Sequence, residues 1–252
     1  MSRFQQQSPF DRSAQDPWAS GALPVSAADA ETRGDFIRKT YLHVAGAAVA
    51  MVLLLTGYFT LTTQDQQLAV VQSMLGSRWS WLIVLGLYMG ASWLANAWAA
   101  IPGSKGKQYA GLGLYIVAIS VILVPALTIA REVPQFAGVI PQAAVITLVV
   151  FGALTAFVMV TGANFNFLGG ILSILGGIAF AAILAGIIFG FSMGLWIIIP
   201  MIGLLCGMIL YQTSQVMHDY PVGAHVAAAL GLFASLATLF YYVLSLLMRM
   251  RE

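Results

Sequence analysis

A chain of 252 residues that is 60% hydrophobic and only 8% charged, with a mean hydropathy of +0.89, carries more apolar surface than one soluble core of that length can hide. This excludes a soluble globular domain and points to an integral membrane protein. A net charge of +2 marks no nucleic-acid surface, and the lone Cys206 excludes an intrachain disulfide or a thiolate cluster built from one chain.

Residues 1–35 are rich in Gln, Ser, Ala, Asp and Pro and contain no apolar stretch resembling a signal-peptide core. They read as a disordered polar tail on the cytoplasmic side. From residue 36 to residue 252 the chain reads as one membrane domain. A hydrocarbon core about 30 Å thick needs about 20 residues of apolar helix. Seven such stretches follow one another, at approximately 41–63, 80–101, 109–130, 142–161, 167–190, 194–212 and 226–248. Runs such as "LWIIIPMIGLLCGMIL" (195–210) are apolar on every face, so the alternation of a membrane barrel is absent. The predicted fold is an all-α integral membrane bundle of seven transmembrane helices.

Arg33, Arg38 and Lys39 precede the first span, and Lys105 and Lys107 fill the connection after the second, which orients both toward the cytoplasm. The stretches 64–79 and 131–141 then become outer loops. Seven spans also put the ending "MRMRE" outside, although the same charge rule would keep Arg249 and Arg251 inside. Six spans plus one re-entrant segment would remove that conflict and stand as the alternative. Small residues four apart, Gly186 with Gly190 and Gly194, Gly86 with Gly90, and Gly203 with Gly207, predict close helix packing within the bundle. Pro125 and Pro200 fall inside spans, where each removes a backbone donor and predicts a kink.

The chain has no HExxH, no GxSxG, no P-loop and no paired intramembrane aspartates. No catalytic residue, metal site or cofactor is therefore expected, and the reading is of a protein that is not an enzyme. His43, His218 and His225 sit near predicted span ends and read as interfacial; His218 and His225, seven apart in one connection, are close enough to meet. What remains is a set of uncharged polar groups within or closing spans: Asn96 in the second, Gln212 to Gln215 at the end of the sixth, and Ser235 and Thr238 in the seventh. An unpaired amide in hydrocarbon costs several kcal/mol, roughly 4–8 on apolar-transfer scales, so such groups must face one another or a wet cavity. Ser235 and Thr238 share one helical face, and an antiparallel hairpin of the last two spans turns that face toward Gln212. Gln212, Ser235, Thr238 and Asn96 are thus candidates either for plain helix–helix hydrogen bonding or for a polar ion path.

Four stretches, "FIRKTYLHVAGA" (36–47), "VMVTGANFNFLGGIL" (158–172), "GMILYQTSQVMHD" (207–219) and "AALGLFASLATLFYYVLSLL" (228–247), together resemble the Bax inhibitor-1 family, also called the transmembrane Bax-inhibitor-motif family, over residues 35 to 248. The resemblance implies a multi-pass protein of a bacterial inner membrane with a cytoplasmic N-terminus. In family members described as calcium-permeable, pH-sensitive leak channels, two aspartates of the last two spans share a proton across the bundle. Laid on this chain, those positions fall at Gln212 and Ser235, neither of which is acidic. "TGAN" (161–164) likewise stands where basic and acidic residues of a "TKKD" kind are common. A subgroup with Ser at the second position includes a member associated with modulating a membrane-bound AAA protease. The resemblance therefore implies two functions, a regulatory or interaction protein acting on such a protease or on a stress response, and a leak path for calcium or another cation that pH does not switch.

Overall fold

The computed structural model describes residues 23–190 and 194–252. Among the described residues there are eight α-helices: α1 (Ala30–Leu61), α2 (Gln64–Leu75), α3 (Arg78–Ala99), α4 (Lys105–Glu132), α5 (Val139–Thr161), α6 (Leu168–Phe189), α7 (Leu195–His218) and α8 (His225–Arg249). All but α2 are long and apolar enough to cross a bilayer, so the seven spans stand and no re-entrant segment takes the place of one. An odd number of spans puts the start of α1 and the α3–α4, α5–α6 and α7–α8 connections on one face, called here the N-terminal face. Residue 252 lies on the opposite face.

Three boundaries differ from the sequence reading, each for an identifiable reason. Residues 1–22 of the expected tail lie outside the described residues, but 23–35 do not continue as a tail. Val25 is fully buried inside a short 3-10 turn, and α1 starts at Ala30 because Asp29 caps it, its carboxylate accepting the Thr32 N–H at 3.0 Å. The expected outer loop 64–79 contains α2, an amphipathic helix too short to span, opened by a capping box in which Thr63 and Gln66 satisfy each other's backbone. The sixth span does not end at Gln212: α7 runs to His218, so "QTSQ" lies inside a helix and not at its exit.

The centre of the bundle is α8, which packs against α1, α3, α4, α5 and α7, whereas α6 leans chiefly on α7 and faces outward. α8 is suited to this place by composition, since Ala228, Ala229, Leu232, Phe233, Ala237 and Leu239 bury a broad face that covers about half of its circumference. A close backbone approach joins α3 and α4 at Gly111. A Cβ built on Gly111 would stand 2.5 Å from the Ala95 carbonyl oxygen and 2.9 Å from the Ala99 nitrogen. Of the predicted glycine series, Gly207 meets a neighbouring helix, with Leu172 Cδ2 3.0 Å from its would-be Cβ, while Gly86, Gly90, Gly194 and Gly203 face open space. Close packing is thus carried mainly by a glycine outside the series.

The arginines of the opposite face have defined work. Arg78 Nη1 donates to the Ile188 carbonyl at 3.0 Å and ties α3 to the end of α6. Arg251 Nη1 donates to the Ala137 carbonyl at 2.7 Å and its Nη2 to Gln142 Oε1 at 2.8 Å, clamping the α4–α5 connection, and Arg249 pairs with Glu252. Anchoring to a connection accounts for C-terminal arginines that the charge rule alone would have kept on the other side.

Candidate functional site

Successive residues of a helix point about 100° apart, so four polar residues in a row reach in four directions. The run Gln212 to Gln215 does this inside the bundle. Gln212 Oε1 accepts the Ser235 hydroxyl at 2.9 Å, joining α7 to α8. Thr213, fully buried, faces α1, where the Tyr41 hydroxyl reaches its Oγ1 at 3.5 Å. Ser214, also fully buried, accepts the Phe165 N–H at 2.9 Å and holds the α5–α6 connection against α7. Gln215 donates back along α7 to the Tyr211 hydroxyl at 2.7 Å. The Tyr211 ring in turn fits against α6 only because residue 169 is glycine: a Cβ there would stand 3.0 Å from three of its ring and hydroxyl atoms.

The interior therefore holds a polar layer centred on α7, closer to the N-terminal face than to the other. Ser214→Ala removes the acceptor of the Phe165 N–H and should cost about 1–3 kcal/mol, the usual penalty for a buried donor left without a partner. The check is a lowered midpoint of thermal unfolding in detergent, with Ser173→Ala, on the outward-facing α6, as an exposed control that moves it little.

Above the layer the chain closes its own N-terminal face. Pro24 and Pro221 form an antiparallel bridge, with Val25 N–H donating to the Tyr220 carbonyl at 2.9 Å and Val222 N–H to the Leu23 carbonyl at 3.1 Å. The Tyr220 ring lies beneath this bridge, and burial pushes its phenol up to about 12, so it stays neutral. Gly231, one turn of α8 before Ser235, keeps the space between Gln212 and Tyr220 open: a Cβ at 231 would stand 3.6 Å from Gln212 Nε2 and 4.0 Å from the Tyr220 hydroxyl.

Below the layer a cavity of about 530 Å³ opens between α3–α4 and α6–α7, reaching from Arg249 and Glu252 on the opposite face past Ser245 and Tyr241 to Thr238. Thr238 donates to the Ala234 carbonyl of its own helix at 2.8 Å and lines this cavity. The sequence candidates thus divide. Gln212 and Ser235 meet, Thr238 stands next to them on the cavity wall, and Asn96 is elsewhere: it is exposed on α3 and donates to the Ser92 carbonyl at 2.8 Å. The layer also contains Tyr41, which the sequence gives no reason to single out, and it buries Thr213 and Ser214, which the sequence places at the end of the sixth span. Nearby, Tyr88 and Tyr115 share a hydroxyl–hydroxyl bond at 2.8 Å between α3 and α4. A tyrosine well inside an apolar run, needing a partner for its hydroxyl, is the signal that would have found Tyr41 and Tyr115.

Of the histidines, the pair that meets is His43 with His225, ring centroids 5.1 Å apart, and not His218 with His225. His43 Nε2 also bonds the Tyr109 hydroxyl at 2.9 Å, and His218 Nδ1 lies 2.9 Å from the Ser214 carbonyl. The described carboxylates all lie at helix ends or in connections, none at the depth of the Gln212–Ser235 bond. Asp219, exposed at the end of α7, accepts the Asn166 side chain at 2.5 Å, which adds a second tie to the α5–α6 connection.

Among known families, the one described as "Inhibitor of apoptosis-promoting Bax1" matches residues 33–252. No curated protein and no solved structure matches the chain. The matched stretch takes in all seven spanning helices and both partners of the Gln212–Ser235 bond, and it agrees with the resemblance read from the four quoted segments. The chain is a multi-pass membrane protein that belongs to the Bax inhibitor-1 family.

Proposed function

We propose that this chain is a regulatory member of its family, an inner-membrane protein with a cytoplasmic N-terminus that modulates a partner such as a membrane-bound AAA protease and does not itself pass ions at rest. The observation that carries this reading is the Ser235–Gln212 hydrogen bond. An amide and a hydroxyl neither gain nor lose a proton near neutrality, so the contact between α7 and α8 has no acid-operated release. The segment around Val25 supports the same reading, because its backbone bonds to Tyr220 and Val222 fasten it to the α7–α8 connection and give a cytoplasmic partner an ordered surface on the N-terminal face.

The test is crosslinked capture from native membranes, comparing the full chain with one lacking residues 1–22. Enrichment of a membrane protease that falls several-fold on deletion is the expected result; no enriched membrane partner with either form removes the reading. A second reading, a leak for calcium or another cation, is favoured by the cavity that reaches Thr238 from the opposite face. Calcium flux from dye-loaded liposomes above that of empty vesicles at both pH 6 and pH 8 would favour the leak over regulation.

A further inference from the structure

On the side of the bundle away from the Thr238 cavity, α1 and α5 both pack on α8, and between them runs an apolar groove of about 930 Å³ floored by Leu127 of α4 and by Leu236 and Phe240 of α8. Its α1 wall runs from Ala45 to Thr60, about 22 Å of helix, longer than one leaflet of about 15 Å. A groove of that length and composition, open sideways to the bilayer, fits an extended hydrocarbon chain.

One charge stands on it. Arg131, exposed at the last turn of α4 where a span meets the opposite face, lines the same groove beside Ile140 and Pro141 of α5. Its guanidinium lies over the Phe59 ring, 4.5 Å from the centroid, and forms no ion pair among the described residues, since the neighbouring Glu132 is held by the Gln64 amide. A favourable place at the end of a helix dipole would explain a cation there, but not a chain-length groove leading away from it into the membrane. A guanidinium at interface depth with an apolar trough beneath matches a lipid whose phosphate sits on the arginine and whose tail lies in the trough.

We propose that the α1–α5 groove is a binding site for one anionic glycerophospholipid, with its phosphate on Arg131 and one acyl chain along Ala48, Val52, Ala144 and Leu148. The full chain is purified in detergent, stripped of lipid, and titrated with phosphatidylglycerol and, separately, phosphatidylcholine of the same chain length, bound lipid being counted by native mass spectrometry. The expected result is one tightly held phosphatidylglycerol per chain, taken up at least five-fold better than phosphatidylcholine. Arg131→Gln should abolish that preference while still admitting either lipid, and Ala144→Phe, which fills the trough, should abolish uptake of both. Ala48→Phe, on the facing wall, does the same task should Ala144→Phe fail to give a monodisperse protein. Unchanged preference in Arg131→Gln, or undiminished uptake in a monodisperse groove-filling variant, overturns the proposal.

Discussion

Replacing Gln212 and Ser235 together by aspartate should create a calcium flux that is low at pH 6 and about ten-fold higher at pH 8, where the parent protein shows no such dependence. The two side chains already meet at 2.9 Å, so the substituted carboxylates would stand in contact between α7 and α8. Two carboxylates at that distance cannot both ionise without cost, and one is held protonated well above the usual carboxylate range, sharing its proton with the other. The latch is intact below that raised value and is lost as pH climbs through it. Two negative charges then repel, part the helices and offer oxygen ligands to a hard divalent ion. The single substitutions serve as controls. Gln212→Asp alone leaves a carboxylate that accepts the Ser235 hydroxyl, and Ser235→Asp alone leaves one that accepts the Gln212 amide, so neither contains a pair to share a proton. Equal flux at both pH values in the double variant, or a pH-dependent flux in the parent, would refute the view that these two positions decide whether the α7–α8 contact can be opened by pH.

Gly111→Val should be the most damaging single substitution in the membrane domain. Even the first carbon of a side chain would be driven into backbone, 2.5 Å from the Ala95 carbonyl oxygen, and backbone cannot move aside as a flexible side chain can. Overpacking of this kind costs about 1–3 kcal/mol or more, which in a chain of this size lowers the unfolding midpoint by roughly 2–12 °C. Gly113→Ala, two residues on in the same helix, is the matched control. Nothing stands within 4 Å of its would-be Cβ, and alanine favours helix, so the midpoint should stay or rise slightly. If Gly111→Val and Gly113→Ala melt alike, the α3–α4 contact is looser than the geometry says.

The seven spans could be read directly because a bilayer imposes a length and a composition at once, and nothing else in the chain satisfies both. The meeting of Gln212 with Ser235 was also within reach, since two adjacent antiparallel helices leave few partners for a polar group at that depth. What escaped depends on contacts between residues remote in sequence. Tyr41 and Thr213 are 172 apart, and no local pattern announces their proximity. Polarity at Gln212 suggests departure from the membrane, whereas α7 continues to His218 and Thr213 and Ser214 are as buried as any leucine in the core. The start of α1 was misplaced for the converse reason. Asp35 falls in the polar tail by composition and Arg38 and Lys39 in the flank before the first span, yet all three belong to α1, where Asp35 pairs with Arg38 and, at 2.6 Å, with Lys39 along an exposed helical face. Asn96 shows the opposite failing, for its amide is satisfied within its own turn and needed no interior to face.

The position of α8 bears on how the molecule is assembled. A ribosome releases the described helices in order, so the one that packs against five of the others emerges after all of them. Until it is inserted, the pairs that the earlier helices form with one another lack their common centre, and Gln212 waits in hydrocarbon without its hydroxyl partner. Insertion of α8 is thus the late step that completes the bundle, and a nascent chain stalled before Ser235 would expose an unsatisfied amide to whatever surveys unfinished membrane proteins.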